Sequence, residues 1–415
     1  MQYLDLDLDL TDRERELRAA AHKFAAEVLR PAAKALDEMP ADKVVEQDSP
    51  LYDVLRKAYR LGYHTIGIPE ELGGQGLSPR ERAIITEELA WGCSGLSIAI
   101  GVAAFPSLAA AMSGNQNLID AYVTPFVNDT EAKMIGCWGG TEPNHGSDLI
   151  TPPTPELRRP DMAFDCRARL VGDEWVISGQ KSQWVSMGTV ATHSFAFVSV
   201  DPSQGMSGSG ACIIPLMQKG VSKGPALNKL GQRPLCQGEL FFDDARIPRD
   251  HMLVGPDMYD MYMDGILAMA NALMSVTFTG VARAAFEEAL EYSKTRIQGG
   301  KPLCEHQLIQ KMLFEMFVKV ETCRRMSRAV YCYNAVTMPP AIEYSIAAKV
   351  YCTQASFEVA STALQIFGGY GLSKDYLVEK LFRDARAALI EDGTNEVLGL
   401  AAARKVVARY GTAGN

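Results

Sequence analysis

The sequence predicts a three-part α, β, α chain: a helical domain over 1–134, a β domain over 135–255 and a helical bundle over 256–415. Three observations carry this expectation. The 415 residues leave room for two or three domains at roughly 150 residues each. Apolar residues recur with helical spacing at both ends of the chain. Between about Met134 and Gly255, short β-rich runs alternate with turn residues instead.

In the first part, Thr11 with early acids caps an apolar-periodic run from 17 to 36, and a second helix is expected over 51–61. A loop over 68–76 leads to a helix at 79–91. No charged residue lies between Glu88 and Asp120. That stretch is rich in Ala and Gly and interrupted by Pro106, so it reads as a buried helix pair and not as a membrane span. In the middle part, strands are expected at 174–178, 193–200, 211–215 and 239–247, and the Pro-rich 151–160 reads as an exposed loop. In the last part, helices are expected near 272–295, 305–336, 341–367 and 395–410, lengths that suit a bundle.

The composition, 47% hydrophobic and 22% charged, excludes disorder, and a net charge of −9 argues against nucleic acid or anionic membrane as the main partner. The first ten residues are an acidic alternation with no basic-then-apolar signal, which predicts a cytoplasmic protein or an organellar one already processed. Nine scattered cysteines form no Cys-x-x-Cys, and six histidines form no His-Glu-x-x-His, so neither a disulfide framework nor a metal site is expected. The Gly-rich runs at 205–210 and 368–371 do not follow a strand and open a helix, which disfavours a Rossmann or P-loop nucleotide site. No Gly-x-Ser-x-Gly elbow occurs.

Three polar clusters remain where the texture changes. The first spans 137–148 and holds Trp138, Gly140, Thr141 and Ser147; the second spans 179–188 with Trp184 and Ser186. The third runs from Arg383 to Glu396 with Glu391, Asp392, Gly393 and Thr394. Taken singly, the tryptophans read equally as core aromatics, Ser147 as a turn residue, Arg296 as a helix-end charge and Gly368 and Gly369 as a helix stop.

In this order on an α, β, α chain, the clusters resemble the acyl-CoA dehydrogenase family of FAD-dependent oxidoreductases. The resemblance extends to 68–76, Leu230 to Arg233, 241–248, Arg296 to Gln307 and 365–371. It implies a middle domain of β-barrel type and a C-terminal four-helix bundle. It also implies that Trp138, Gly140, Thr141, Trp184 and Ser186 line the flavin, with Ser186 hydrogen-bonding near N5, the atom that accepts hydride. Ser147 would contact phosphate or the thioester ligand. Arg296, His306, Gln307, Gln365, Gly368 and Gly369 would reach the FAD of a neighbouring subunit, with Thr394 and Glu396 by its adenosine diphosphate end. A shared cofactor implies a homo-oligomer, a tetramer or a dimer. The implied partners are an acyl-CoA and an electron-transferring flavoprotein.

The implied chemistry removes a proton beside the thioester while hydride leaves the next carbon, which calls for a desolvated carboxylate base. The position where most members carry Glu holds Asp392, preceded by Glu391 as the second candidate. Asp shortens the reach by about 1.5 Å. It reads alternatively as the N-cap of the helix that follows. Asn271 stands where the family usually has a substrate-binding Arg, and Ser147 and Gly393 complete the implied substrate contacts. Arg158, Arg159, Lys181 and Arg296 are candidate donors to an anionic ligand. One extra residue between Lys181 and Trp184 and a long 149–171 segment suggest a cyclic, branched or aryl-bearing acyl group. The competing readings are a nitroalkane-oxidase-like enzyme, a monooxygenase or desulfinase on the same fold, and a non-catalytic flavin- or CoA-binding relative.

Overall fold

The computed structural model describes residues 6–150, 156 and 158–411. Thr11 opens the first helix, Asp12–Phe24, through a reciprocal capping box with Glu14. The run then passes through a wide turn, Ala25–Leu29, into Arg30–Glu38. The second helix is Pro50–Arg60 and the next is Pro79–Gly92, where Ser78 and Glu81 repeat the capping box. Each such cap is worth about 1 kcal/mol.

The uncharged stretch forms two helices, Ser94–Val102 and Phe105–Ser113, broken ahead of Pro106. Two helical stretches, Ser94–Ser113 and Pro256–Thr295, are long and apolar enough to cross a membrane, and 67% and 72% of their most apolar windows are buried inside this fold. Most of the Pro-rich 151–160 lies outside the described residues.

The middle part is an eight-stranded sheet of β1 (Gly136–Gly139), β2 (Arg167–Val171), β3 (Glu174–Lys181), β4 (His193–Ser199), β5 (Ser209–Pro215), β6 (Val221–Lys223), β7 (Leu240–Pro248) and β8 (Met252–Val254). Its order is β6-β7-β3-β2-β4-β5-β8, with β1 parallel to β4. Strand β2 goes unread in the sequence because only Ala168 on it is buried, so no alternating apolar face exists. Gly179 bulges β3 at φ +135°, and a Cβ there would meet the Cys166 backbone at 2.6 Å.

The last part is built on Pro256–Thr295, Gln307–Val336, Ile342–Phe367, Leu377–Ala387 and Asn395–Tyr410. The first of these starts sixteen residues earlier than the periodicity suggests. Its opening is apolar on several sides: Tyr259, Met263 and Leu267 are buried while Met258 and Met261 are exposed, so no single stripe marks it. It docks on Pro79–Gly92 at Gly280, where a Cβ would lie 2.4 Å from the Glu87 carbonyl oxygen. Leu377–Ala387 was legible only as a polar cluster, because its buried face includes Lys380 and Asp384, which pair with each other.

Candidate active site

Three hydrogen-bonded seams bring the polar clusters together. The Ser182 N–H donates to the Thr141 carbonyl at 2.9 Å, joining the first cluster to the second. The Thr394 N–H donates to Ser147 Oγ at 3.1 Å, joining the first to the third. Gln232 donates from its backbone to Asp384 Oδ1 at 2.5 Å and from Nε2 to Glu391 Oε1 at 2.6 Å, tying the end of the β domain to the third. The loop lies close enough that a Cβ on Gly231 would sit 2.3 Å from the Arg383 carbonyl oxygen.

The acidic pair occupies a turn between two helices. Thr394, and not Asp392, is the N-cap of Asn395–Tyr410; its Oγ1 accepts from the Val397 N–H. The capping alternative for Asp392 therefore falls. Asp392 has φ +52° and Gly393 φ +96°. Asp tolerates the left-handed region better than most residues, and Gly enters it freely. Among the described residues the N–H groups of Asp392 and Gly393 meet no acceptor, and consecutive N–H groups in such turns form a concavity for an oxygen with negative charge.

Burial raises the Asp392 carboxyl above its ordinary range, and the Lys349 ammonium pulls it partly back. The residue nevertheless remains solvent-accessible. Asp392 is thus surrounded by protein yet open to solvent. Burial and the Asp392 charge push Glu391 up to about 7, against the opposing pull of Gln232, Lys349 and Lys229. Lys349 donates from Nζ to the Gly393 carbonyl at 2.8 Å and to Asn395 Oδ1 at 2.9 Å. Burial lowers it to about 8 although Asp392, Glu391 and Glu396 favour its charge. Lys349, Gln232 and Lys229 are functional neighbours that the sequence reading missed. Lys349 carried a signal, since it is a lone cation on the buried face of an otherwise apolar helix.

On the β-domain side, Trp184 is 50% exposed and Ser186 half-buried. Gln237 Nε2 donates to the Trp184 carbonyl and to Ser186 Oγ, both at 3.2 Å. Trp138 is different. Its ring packs edge-on against Phe105 at 5.4 Å and Phe197 at 4.8 Å, so the side chain belongs to an aromatic cluster of the core. Gly140 is obligatory, because a Cβ would lie 2.8 Å from Trp138 Nε1. Lys181 is fully buried and bonded to Glu142 Oε1 at 2.5 Å and to the Gly140 carbonyl, which removes it as a donor to an anionic ligand. Glu142, His145 and Asp165 bring ligand atoms within 4.8 Å of one another, but that same ammonium supplies the cation there.

Asn271 is wholly buried, donates from Nδ2 to the Leu267 carbonyl at 2.9 Å, and hydrogen-bonds to none of the other site residues. A second, separate group forms at one end of the bundle. Arg296 lies over the Tyr370 ring at 5.3 Å, and Gln365, Gly368 and Gly369 are exposed beside it. His306 Nε2 bonds to the Gln298 carbonyl at 2.8 Å, and Gln307 is exposed. Among the described residues no hydrogen bond connects this end to the Asp392 turn.

Comparison with known proteins identifies the family. The family models for the acyl-CoA dehydrogenase N-terminal, middle and C-terminal domains match residues 11–129, 137–245 and 261–407. The short-chain specific acyl-CoA dehydrogenase, mitochondrial, of Homo sapiens is 30% identical over 408 residues, covering 97% of this chain and 92% of its own. The chain belongs to the acyl-CoA dehydrogenase family. As an acyl-CoA dehydrogenase it is an oxidoreductase and a flavoprotein. The solved butyryl-CoA dehydrogenase from Megasphaera elsdenii superposes with a TM-score of 0.84 at 26% identity, covering 98% of this chain and 100% of that one. A nitroalkane oxidase crystallised with 1-nitrooctane reaches a TM-score of 0.86 over 98% of this chain and 100% of that one; at 23% identity it shares the fold.

Proposed function

We propose that the protein dehydrogenates an acyl-CoA thioester between the α- and β-carbons, with Asp392 as the base and FAD as the bound cofactor. The observation that carries this reading is the Asp392 turn: a carboxylate relieved of capping duty, raised by burial, open to solvent and opposed by the charge of Lys349, which is held by the Gly393 carbonyl and Asn395.

The donor set fits a flavin. Trp184 offers a half-exposed indole, and the Ser186 hydroxyl has no acceptor among the described residues. Bound FAD supplies the acceptor for the hydride equivalent that leaves the β-carbon. The chain supplies the rest. The thioester carbonyl oxygen rests against the N–H groups of Asp392 and Gly393, which stabilise the negative charge that gathers there as the α-proton leaves. Asp392 takes that proton. Its raised affinity for protons makes it a stronger base than an exposed carboxylate, and the Lys349 charge limits the rise. Glu391, held by Gln232, keeps a second negative charge from Asp392 when protonated.

The acyl group is of cyclic, branched or aryl-bearing type on this reading, an electron-transferring flavoprotein is the acceptor that reoxidises the enzyme, and the subunits assemble as a tetramer so that the Arg296 end meets a neighbour's cofactor. Anaerobic titration of the FAD-loaded protein with straight-chain, branched, alicyclic and aryl acyl-CoAs tests it. Bleaching of the flavin band by the bulky acyl-CoAs is the expected result. Efficient bleaching by straight chains alone contradicts the acyl assignment, and no bleaching by any acyl-CoA contradicts the reaction. Nitroalkanes belong in the same titration, since an Asp base on this fold is compatible with them. The region 397–403 lacks an Arg to bind the nitro group, however, so no bleaching is expected.

A further inference from the structure

The direction of the Ser186 hydroxyl is set from behind by a chain of two residues. Lys229 Nζ donates to Gln237 Oε1 at 2.5 Å. An ammonium has only donors, so the amide must turn its oxygen toward Lys229 and its NH₂ toward the 184–186 loop. There the Trp184 carbonyl, which can only accept, takes one hydrogen, and Ser186 Oγ takes the other. Ser186 is thereby the acceptor in its bond to Gln237, and its single hydroxyl hydrogen points elsewhere. No described residue receives it, and the side chain is half-buried at the cleft. The backbone on both sides is pinned: Ser186 and Gln237 form a β-bridge, the Met187 N–H donates to the Cys236 carbonyl at 2.7 Å, and the Leu227 N–H donates to the Gln237 carbonyl at 2.8 Å. Met187 holds φ +64° to make this turn.

We propose that Gln237, locked by Lys229, is a positioning residue that presents the Ser186 hydroxyl hydrogen to the flavin ring. The inference rests on the reading that the cleft holds FAD beside Ser186, and it goes further in assigning a role to two residues outside the cleft wall. Without Lys229 the amide is free to turn over and present its oxygen to Ser186, which would draw the hydroxyl hydrogen back toward Gln237. The charges of Glu391 and Asp384 also act on Lys229, so the two halves of the site are coupled electrostatically through one ammonium.

The test is the two-electron midpoint potential of the FAD-loaded protein in a thermodynamic cycle. Ser186→Ala is expected to change the reduced-to-oxidised equilibrium by about tenfold, the worth of one neutral hydrogen bond, or about 30 mV for a two-electron couple. Gln237→Leu is expected to shift it in the same sense and by a similar amount, and to add nothing in the Ser186→Ala background. Gln237→Glu, which offers Ser186 only acceptors, should do the same, and Lys229→Met should give a smaller shift of the same sense. Melting temperature and FAD content confirm that each variant is folded and loaded. Gln237 variants that leave the potential unchanged, or shift it equally without Ser186, overturn the relay. A Ser186→Ala protein that holds FAD at an unshifted potential overturns the flavin contact itself, and the relay with it.

Discussion

Two pairs of adjacent carboxylates, Glu87 with Glu88 and Glu391 with Asp392, are treated in opposite ways. Glu87 and Glu88 lie on the Pro79–Gly92 helix where it meets the bundle. Arg283 donates to Glu87 Oε1 at 2.8 Å and to Glu88 Oε1 at 2.7 Å, Arg324 and Arg328 add bonds to Glu87, and His22 Nδ1 lies 2.8 Å from Glu88 Oε2. Burial alone would push both acids up, but the guanidinium charges, with His22 at Glu88, overcome it, holding Glu87 well below the ordinary range and lowering Glu88. Glu391 and Asp392 have no arginine. They face two lysines that burial has already weakened, and both are raised. Carboxylates thus become a locked structural joint in one place and groups with raised proton affinity in the other. The difference lies in how much positive charge each turn or helix is given.

The largest expected effect is on the locked pair. Arg283→Met leaves two buried carboxylates without their shared partner, and removal of one member of a buried ion network costs about 3–5 kcal/mol. Denaturant unfolding should show this loss above pH 5 and a smaller loss in acid. The sign follows from the lowered pKa values: the pair contributes stability above the unfolded carboxylate value of about 4.5 and loses it as pH falls. If Arg283→Met were as stable as the parent, the two carboxylate pairs would not differ as described.

Next is Lys349→Met. It removes the cation that restrains Asp392, so the pH at which flavin reduction reaches half its plateau should rise by about one unit or more. A profile that does not move would mean that Lys349 serves only the Gly393 carbonyl.

The pH dependence of stability for Glu391→Gln should run opposite to that of the arginine-locked pair. Glu391 is raised from 4.5 to about 7, so its contribution is fully present below 4.5 and is lost as pH rises through 7. Glu391→Gln should therefore gain stability relative to the parent above pH 7 and match it in acid, which thermal melts across pH can check.

The smallest expected effect is Thr394→Ala. It removes the cap of the last helix for about 1 kcal/mol and should leave flavin reduction little changed. A large rate loss would mean that the cap also sets the Asp392 turn.

Much of this was readable in the sequence, and the failures have two causes. Regular apolar spacing located both flanking helical parts, and the last helix, Asn395–Tyr410, matches its expectation at both ends. The strands β1, β6 and β8 are too short to show a period, and three further segments are missed because their buried faces break the apolar pattern: β2 with a single buried alanine, Leu377–Ala387 with a buried Lys380 and Asp384, and the Met- and Tyr-rich start of the long helix. In the site, the acidic turn could be named because Glu391 to Thr394 are contiguous. Its regulators could not. Lys349 comes from the helix Ile342–Phe367 and Lys229, Gln232 and Gln237 from the loop ahead of β7, far from Glu391 in the chain, and only folding gathers them. Trp138 shows the reverse limit, since the residue was well placed in the chain but its ring turns into the aromatic core.

Single-turnover flavin reduction under anaerobic conditions, comparing the parent with Asp392→Asn on an acyl-CoA that bleaches the parent, decides whether this turn carries the base. A carboxamide of the same shape cannot take the proton, so the rate should fall by about 10²- to 10⁴-fold with FAD content and melting temperature unchanged. Reduction of Asp392→Asn at the parent rate would contradict the assignment.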